Sequence, residues 1–437
     1  MMYSNELNNN NRINHIGTSL FGLLIIFLAA VINDLPIQIY LGTLGSSPVW
    51  LVSLFSFIII IIQCGFRLHL DELSKSFLVY YLLTLTISSL QCIWYYFVEG
   101  VIINKFGGII FSKLLFASSY YLFYFLFIYS AIYFSRALKA SQFKKCILSI
   151  TFLLITVLCI EFFWPNILIL FHMTMDGYGA GSRLRLLSPE PSMAAFTFNI
   201  FMLLTIALCY SKILKIIIWV IILSANILIG SKASLLLIMS SGVLVFYFNM
   251  SLLQKIKSLI IIIPIVIGVS YVIFNTVLPA LAVDVEKFTS VSTRLITALW
   301  AIISLIYYPL GEGYGTYGSY FIDPLYSAIN LAEHFLPFSP NLSEVEKMLT
   351  TGESLAAKSG VLFAIVQSGF IALIFFILVY FRSFRSIRES KMELSMKLML
   401  RMTLWYSLLS VLFAVNIETL YAFLLPFITV EYFRNNY

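Results

Sequence analysis

Two arginines separated by one residue, Arg183 and Arg185, are the strongest candidates for chemistry in this sequence. They follow a glycine-rich stretch and come just before an apolar block that begins near Ser192. A guanidinium group presents its N–H donors in a planar fork that matches the oxygens of a phosphate or diphosphate. The pair therefore predicts binding of a phosphate-bearing group, with contact to ordinary lipid headgroups as the alternative.

A carboxylate follows these arginines closely. Glu190 lies between Pro189 and Pro191 at the start of the apolar block, so it is expected to be held rigidly near a helix N-terminus. We predict that Glu190 orients one of the arginines. Acceptance of a proton from a sugar hydroxyl is a less favoured role, and complementing the helix dipole is the structural alternative.

The second stretch with candidate groups covers residues 284–360. Arg294 precedes an apolar run, and a cation there either pairs with an anion or reaches towards the surface. His334 and Glu353 are candidates to accept a hydroxyl proton, although a histidine in a loop is often simply solvated. Lys358, just before the next apolar block, is a further candidate.

No metal or cofactor site is predicted. The sequence contains no P-loop, HExxH, GxSxG or Asp-x-Asp pattern. The pair Asp284 and Glu286 is better explained as a solvated span end than as a metal site. The five cysteines lie in or at the ends of apolar blocks, so neither a disulfide framework nor a cysteine zinc site is expected.

The element that must position these groups is a membrane domain. Of the 437 residues, 61% are hydrophobic and 11% are charged, against roughly 25% charged in soluble domains. The apolar runs are continuous, so helices rather than barrel strands are predicted. We predict an all-α polytopic membrane protein with twelve spans, near residues 16–33, 48–66, 77–98, 113–134, 146–163, 192–211, 213–229, 233–249, 259–282, 361–381, 398–415 and 418–433.

Basic residues at the span ends set the predicted orientation, and they argue against a nucleic-acid partner despite the net charge of +7. With both termini cytoplasmic, the inner segments carry 17 of the 27 lysines and arginines. One membrane domain, 1–437, then has two loops on its outer face: 164–191, and a large loop, 283–360, between spans nine and ten. Within the large loop we expect an interfacial helix at 295–308, with Arg294 near its N-terminus, and a short helix at 343–349.

Three segments resemble a known family. The run from Arg183 to Ser192, RLRLLSPEPS, resembles the element of Wzy-type O-antigen and capsular polysaccharide polymerases in which an arginine is followed by E-P-S. Arg294 followed by P-L-G-E-G at 309–313 resembles their second element, and 360–376 resembles the closing helix after their periplasmic loop.

The sequence also departs from the family pattern. Leu186 stands where the family often has glycine, and glycine is absent eleven residues after Arg183 and Arg294. Residues 351–360 lack the histidine that O-antigen ligases favour there, which favours a polymerase over a ligase.

The resemblance implies a metal-independent glycosyltransferase at the periplasmic face of a bacterial inner membrane. It would join lipid-linked repeat units, with an undecaprenyl-diphosphate-linked glycan as donor, a second such lipid as acceptor, and a chain-length regulator as partner. The alternatives are an O-antigen ligase and a lipid-linked oligosaccharide flippase or other transporter.

Roles for individual residues follow from this implied reaction. Arginines would stabilise the leaving diphosphate, namely Arg183, Arg185 and Arg294. The proton acceptors are ranked Glu190, Glu353 and His334. The long loop would act as a lid, Lys358 would contact substrate, and three tyrosines would stack on sugar rings, namely Tyr314, Tyr317 and Tyr320.

Overall fold

The computed structural model describes residues 2–65, 67–168, 172, 183–250, 289–335, 340–352 and 355–436. The described residues form helices and no β-strand, which confirms the all-α prediction. Before residue 250 the α-helices are α1 (Met2–Val31), α2 (Gln38–Leu41), α3 (Val49–Gln63), α4 (Glu72–Glu99), α5 (Ile110–Arg136), α6 (Ala140–Phe163), α7 (Pro165–Leu168), α8 (Pro191–Leu208), α9 (Lys212–Ile229) and α10 (Lys232–Asn249).

The later described helices belong to the long predicted loop and to the C-terminal part of the chain. They are α11 (Thr289–Tyr307), α12 (Tyr317–Tyr320), α13 (Ile322–Phe335), α14 (Ser343–Thr351), α15 (Gly360–Glu389), α16 (Leu394–Phe413) and α17 (Leu425–Asn436). Two short 3₁₀-helices, Gly42–Ser46 and Tyr421–Leu424, complete the described structure.

Eight described helices are long and apolar enough to cross a membrane, namely α4, α5, α6, α8, α9, α10, α15 and α16. The number is nine if the bent pair Gln38–Ser46 and Val49–Gln63, which meet at 68°, forms one broken span. These helices support a membrane-embedded protein. The count of twelve spans stays a prediction, and the expected span at 259–282 lies outside the described residues.

Two helix starts differ from the prediction. Helix α11 begins at Thr289, so Arg294 lies in its second turn rather than at its N-terminus. The added first turns include Thr293, which is buried and donates to Glu344 at 2.9 Å. Helix α17 begins at Leu425 rather than near 418, because the preceding segment is irregular and the hydroxyl of Tyr124 satisfies the carbonyl of Ile417 at 2.6 Å.

The chain forms two compact units. Unit 1 comprises Met1–Leu82, Ser118–Ser241 and Phe375–Tyr437, and unit 2 comprises Leu83–Ala117 and Gly242–Ile374. Helix α8 is the core of unit 1: it packs against α6, α9 and α16, and its side chains from Met193 to Leu208 are buried. A helix that is apolar around its whole circumference belongs in a core, which explains its central position.

A buried amide side chain lies within this core helix. The amide of Asn199 donates to Ser234 at 2.7 Å and to Tyr406 at 3.0 Å, and it exchanges hydrogen bonds with Asn226. A buried amide is costly unless its donors and acceptor are paired, and here they are. The network therefore links α8, α9, α10 and α16 by specific contacts.

The described part of the long predicted loop is a folded helical region of unit 2. Helix α11 packs against α13 and α14. The short helix predicted at 343–349 is confirmed, because α14 covers Ser343–Thr351. The apolar core of this region is formed by Ile296, Trp300, Phe321, Leu325, Ala328, Val345 and Met348. Because the region has its own core, its polar groups hold fixed positions.

Candidate functional site

The two arginines lie just before and at the start of a tight turn of unit 1, and we call residues 183–187 the arginine turn. Arg183 is exposed and Arg185 is half-buried. The turn closes with a hydrogen bond from Ser188 N to Arg185 O at 3.0 Å. The predicted arginine pair is therefore presented by ordered backbone just before α8.

A buried carboxylate holds this turn. Glu161, near the end of α6, accepts from Arg185 N at 2.7 Å with one oxygen and from Leu186 N at 2.6 Å with the other. Glu161 is only 2% exposed, so these bonds are well shielded from water. The sequence analysis assigned no role to Glu161.

The residue between the arginines and the next helix has an unusual backbone. Leu186 has φ 56°, and among the described residues it is the one non-glycine residue with positive φ. The left-handed conformation costs a leucine about 1–2 kcal/mol. Its side chain is 1% exposed, and burying a leucine contributes about 1.5–3 kcal/mol, so burial offsets the strain. A glycine at this position would adopt the same backbone without that strain.

The side chain of Arg183 crosses a second turn, between α9 and α10. Its Cδ lies 3.3 Å from where a Cβ on Gly230 would be, and Gly230 itself has φ +70°. A larger residue at 230 would be strained and would press on the arginine. Gly230 therefore leaves room for Arg183.

Glu190 is exposed and starts α8, as expected. Its carboxylate accepts from Ser192 Oγ at 3.3 Å, and the contact that fixes the arginine turn comes from Glu161 instead. That Glu190 orients an arginine stays a prediction, whereas Glu161 holds the arginine turn through its backbone.

Three other polar groups lie at the same end of unit 1. Asn33 N donates to Leu187 O at 2.9 Å, and the Asn33 amide, oriented to donate, reaches Thr419 O at 2.7 Å. Asp34, next to Asn33, pairs with buried His172 at 2.8 Å. Asn33 thus connects the arginine turn to the segment that contains Glu418.

Glu418 has the properties of a proton acceptor. Glu418 is half-buried. Burial raises its pKa to about 7, although a hydrogen bond from Asn416 partly lowers it. Groups with a pKa near neutrality both take and return protons readily. The sequence analysis missed Glu418 because it stood at the edge of an apolar block and was assigned to a span.

In unit 2, two residues predicted from the sequence, Lys358 and Arg294, lie close enough to Glu344 to affect its carboxylate. Lys358 Nζ lies 2.6 Å from Glu344 Oε1, and Thr293 donates to the other oxygen. Burial acts to raise the pKa of Glu344, but Lys358, Thr293 and the charge of Arg294 lower it overall. The ammonium predicted to contact substrate is therefore engaged by Glu344, a residue that the sequence did not single out.

The P-L-G-E-G segment forms another tight turn, which we call the glycine turn (residues 309–313). It pairs with α15 where that helix breaks at Gly369 (φ 59°, ψ −137°): Glu312 N donates to Val366 O at 2.7 Å and Phe370 N donates to Pro309 O at 2.9 Å. A Cβ on Gly311 or Gly369 would overlap backbone atoms of the other segment. These glycines permit close backbone packing.

The glycine turn also buries a carboxyl. Glu312 is 1% exposed and accepts from Trp300 Nε1 at 3.1 Å and Ser304 Oγ at 2.6 Å. Burial raises its pKa to about 8, opposed by the bonds from Ser304 and Trp300. Glu312 is therefore largely protonated at neutral pH.

The three tyrosines differ in accessibility. Tyr314 is completely buried and receives a hydrogen bond from Ser368 Oγ at 3.3 Å, so the stacking role predicted for it does not fit its position. Tyr317 and Tyr320 are half-buried, and the ring of Tyr320 lies against Tyr308. Only Tyr317 and Tyr320 therefore have ring surface that is accessible to a sugar.

The remaining predicted residues are placed as follows. His334 is exposed in the last turn of α13 and Arg294 is half-buried in α11, both in unit 2. Glu353 lies outside the described residues. Within the described ranges, His, Cys, Asp and Glu side chains form no group of three or more that could hold a metal.

Comparison with known proteins adds no identification. Neither a scan against protein-family models nor a search of curated proteins finds a match for this chain. The Wzy-type resemblance therefore rests on the residues described above.

Proposed function

We propose that this protein is a metal-independent glycosyltransferase that polymerises lipid-diphosphate-linked repeat units at the outer face of a bacterial inner membrane. The observation that supports this most directly is the arginine turn, in which Glu161 holds the backbone of Arg185 and Leu186 at 2.7 and 2.6 Å. Two arginines presented by ordered backbone at a helix end suit a diphosphate.

The chemistry assigns one role to these arginines. An acceptor hydroxyl oxygen attacks the anomeric carbon of the donor glycan, and the bond from that carbon to the diphosphate oxygen breaks. The electron pair leaves with the diphosphate, whose negative charge grows in the transition state. Donors prearranged for that charge stabilise the transition state more than the bound substrate.

The hydroxyl proton needs an acceptor in the same reaction. Glu418 replaces Glu190 as our first choice, because it is half-buried and Asn33 joins its segment to the arginine turn through Leu187 and Thr419. In cells or extracts that polymerise the glycan, E418Q is expected to abolish chain growth while E190Q shortens chains only slightly. Equal effects of the two variants would remove Glu418 from this role.

The proposed function is tested with R183K and R185K, separately and together. Lysine keeps the positive charge but loses the planar fork. In cells whose polysaccharide depends on this protein, surface glycans are expected to shrink from a ladder to single repeat units on gels. The control R385K alters an exposed arginine that pairs with Glu389 at 2.7 Å, and it should leave the ladder intact.

Other outcomes identify the alternatives. Loss of all glycan from the surface indicates a flippase or other transporter. Lipid-linked chains of normal length that are no longer attached to their final acceptor indicate a ligase. An unchanged ladder in the double variant, with normal protein abundance, removes the arginine turn from the reaction.

A further inference from the structure

A second pair of hydrogen-bond donors lies in unit 2, where the turn that precedes α5 meets the first turn of that helix. Asn104 is 4% exposed, and its side-chain oxygen accepts from Phe106 N at 3.0 Å and from Gly108 N at 2.9 Å. These two backbone donors fix the orientation of the amide, because only its oxygen can accept them. The amide nitrogen must therefore face away from the turn.

That nitrogen is unusual for a buried group. Within the described part of the chain, Asn104 Nδ2 has no hydrogen-bond partner. It points towards Gly318, where it would lie 3.0 Å from an added Cβ. An unpaired buried donor costs about 1–3 kcal/mol. A ligand that accepts a hydrogen bond from Asn104 Nδ2 would remove this cost.

A cation lies on the same side of Gly318. Lys113 Nζ would be 3.6 Å from the same added Cβ, and it also lies 5.8 Å from the centre of the Tyr317 ring. The lysine is half-buried, and no acidic side chain among the described residues forms an ion pair with it. A half-buried ammonium without an anion near a span end indicates an anion site.

The two donors converge on one point beside Gly318. Asn104 Nδ2 lies 3.0 Å and Lys113 Nζ lies 3.6 Å from that point, where glycine places no side chain. A Cβ at Gly108 would lie only 2.9 Å from Lys113 Cε, so glycine there leaves room for the lysine. Two oxygens of one phosphate group can therefore accept from both nitrogens.

We propose that Lys113 and Asn104 form an oxyanion site that holds the diphosphate of the acceptor lipid. The assignment to the acceptor rests on the proposed function, since joining two lipid-linked glycans requires two diphosphate sites. The acceptor diphosphate keeps its bonds during the reaction, so it needs binding but no stabilisation of developing charge. A point-charge ammonium and a neutral amide supply that binding, and half-buried Tyr317 lies beside it for the attached sugar.

The test uses the purified full-length protein in phosphatidylcholine nanodiscs, with geranylgeranyl diphosphate as the probe. Wild-type protein is expected to bind two molecules per chain and the R183A/R185A variant one. K113M in that background should weaken the remaining binding by at least about tenfold. N104D should do the same, because aspartate keeps the turn's acceptor oxygen and replaces the donor nitrogen with an oxygen.

The matched control is K105Q, which removes an exposed lysine from the same turn and should change affinity less than about twofold. Unchanged binding in both K113M and N104D overturns the site, whatever the arginine variants do. Unchanged glycan ladders in R183K/R185K, together with weakened binding in K113M, overturn the proposed function and leave the oxyanion site standing.

Phosphatidylglycerol in the nanodiscs distinguishes the two sources of phosphate. If the site holds a lipid diphosphate, this phospholipid competes weakly and diphosphate binding persists. If phosphatidylglycerol displaces the probe at equal concentration, and K113M removes that competition, the site takes phospholipid headgroups and the assignment to the acceptor is wrong. In polymerisation assays, K113M should raise the apparent KM for the acceptor, whereas R183K should lower kcat.

Discussion

The arginine turn of unit 1 and the glycine turn of unit 2 both contain residues with positive φ, but the two turns stabilise this backbone in different ways. In the arginine turn, a side-chain carboxylate holds a leucine in the left-handed conformation, and a guanidinium remains exposed. In the glycine turn, backbone bonds and glycines hold the chain, and a carboxyl is completely buried. A non-glycine residue that keeps a strained backbone more often marks function than glycines that simply permit one.

The largest effect is expected from breaking the glycine turn. G369A places a Cβ over Pro309 O at a φ and ψ that essentially only glycine adopts, so it should destabilise the protein by at least about 3 kcal/mol. Thermal unfolding in detergent measures this. The control G17A adds a Cβ with no neighbour within 4 Å and should leave the melting temperature close to that of wild type.

The next effect comes from the acidic residue behind the arginine turn. E161Q keeps one acceptor oxygen but turns an N–H₂ group towards a backbone N–H, so it should cost about 2 kcal/mol and shorten the glycan. E190Q alters an exposed carboxylate and should change stability by less than about 0.5 kcal/mol. If both variants shorten the glycan equally, the turn does not depend on Glu161.

A pH-dependent effect separates the two turns further. The raised pKa of Glu312, about 8 against an ordinary 4.5, means that its contribution to stability is complete below about pH 4.5. That contribution is lost as pH rises through about 8, because the unfolded chain releases the proton first. Melting temperatures measured from pH 5 to pH 8 should fall less steeply for E312Q than for wild type. Parallel curves would show that the carboxyl titrates normally.

The smallest effect is expected at the ion pair of unit 2. Lys358 and Glu344 are 30% and 27% exposed, so K358M should cost about 1 kcal/mol or less. Because the pKa of Glu344 is lowered, the pair stabilises the fold above the ordinary glutamate pKa, and this is lost as pH falls through the lowered value. High salt should reduce the difference between wild type and variant. A larger loss would indicate that Lys358 supports the packing of α14.

Periodicity and composition were sufficient to predict the helices, but they gave little information about the irregular segments. The all-α class and most helix positions followed from continuous apolar runs, since a bilayer requires about 20 apolar residues per crossing. The start of α11 was missed because Ser292 and Thr293 look like loop residues until their buried partners are known. The irregular segment before α17 was missed because its residues are as apolar as those of a span.

For the candidate site, the sequence by itself determined which residue types stand next to one another: two arginines before an E-P-S run, glycines in P-L-G-E-G, and tyrosines close behind them. Only the tertiary structure decided which of these face solvent, because burial depends on neighbours far away in the chain. It is the approach of Glu161 to the arginine turn and of α15 to the glycine turn that separates an exposed guanidinium from a buried carboxyl and a buried Tyr314. Contacts of that kind join distant residues and leave no pattern along the chain.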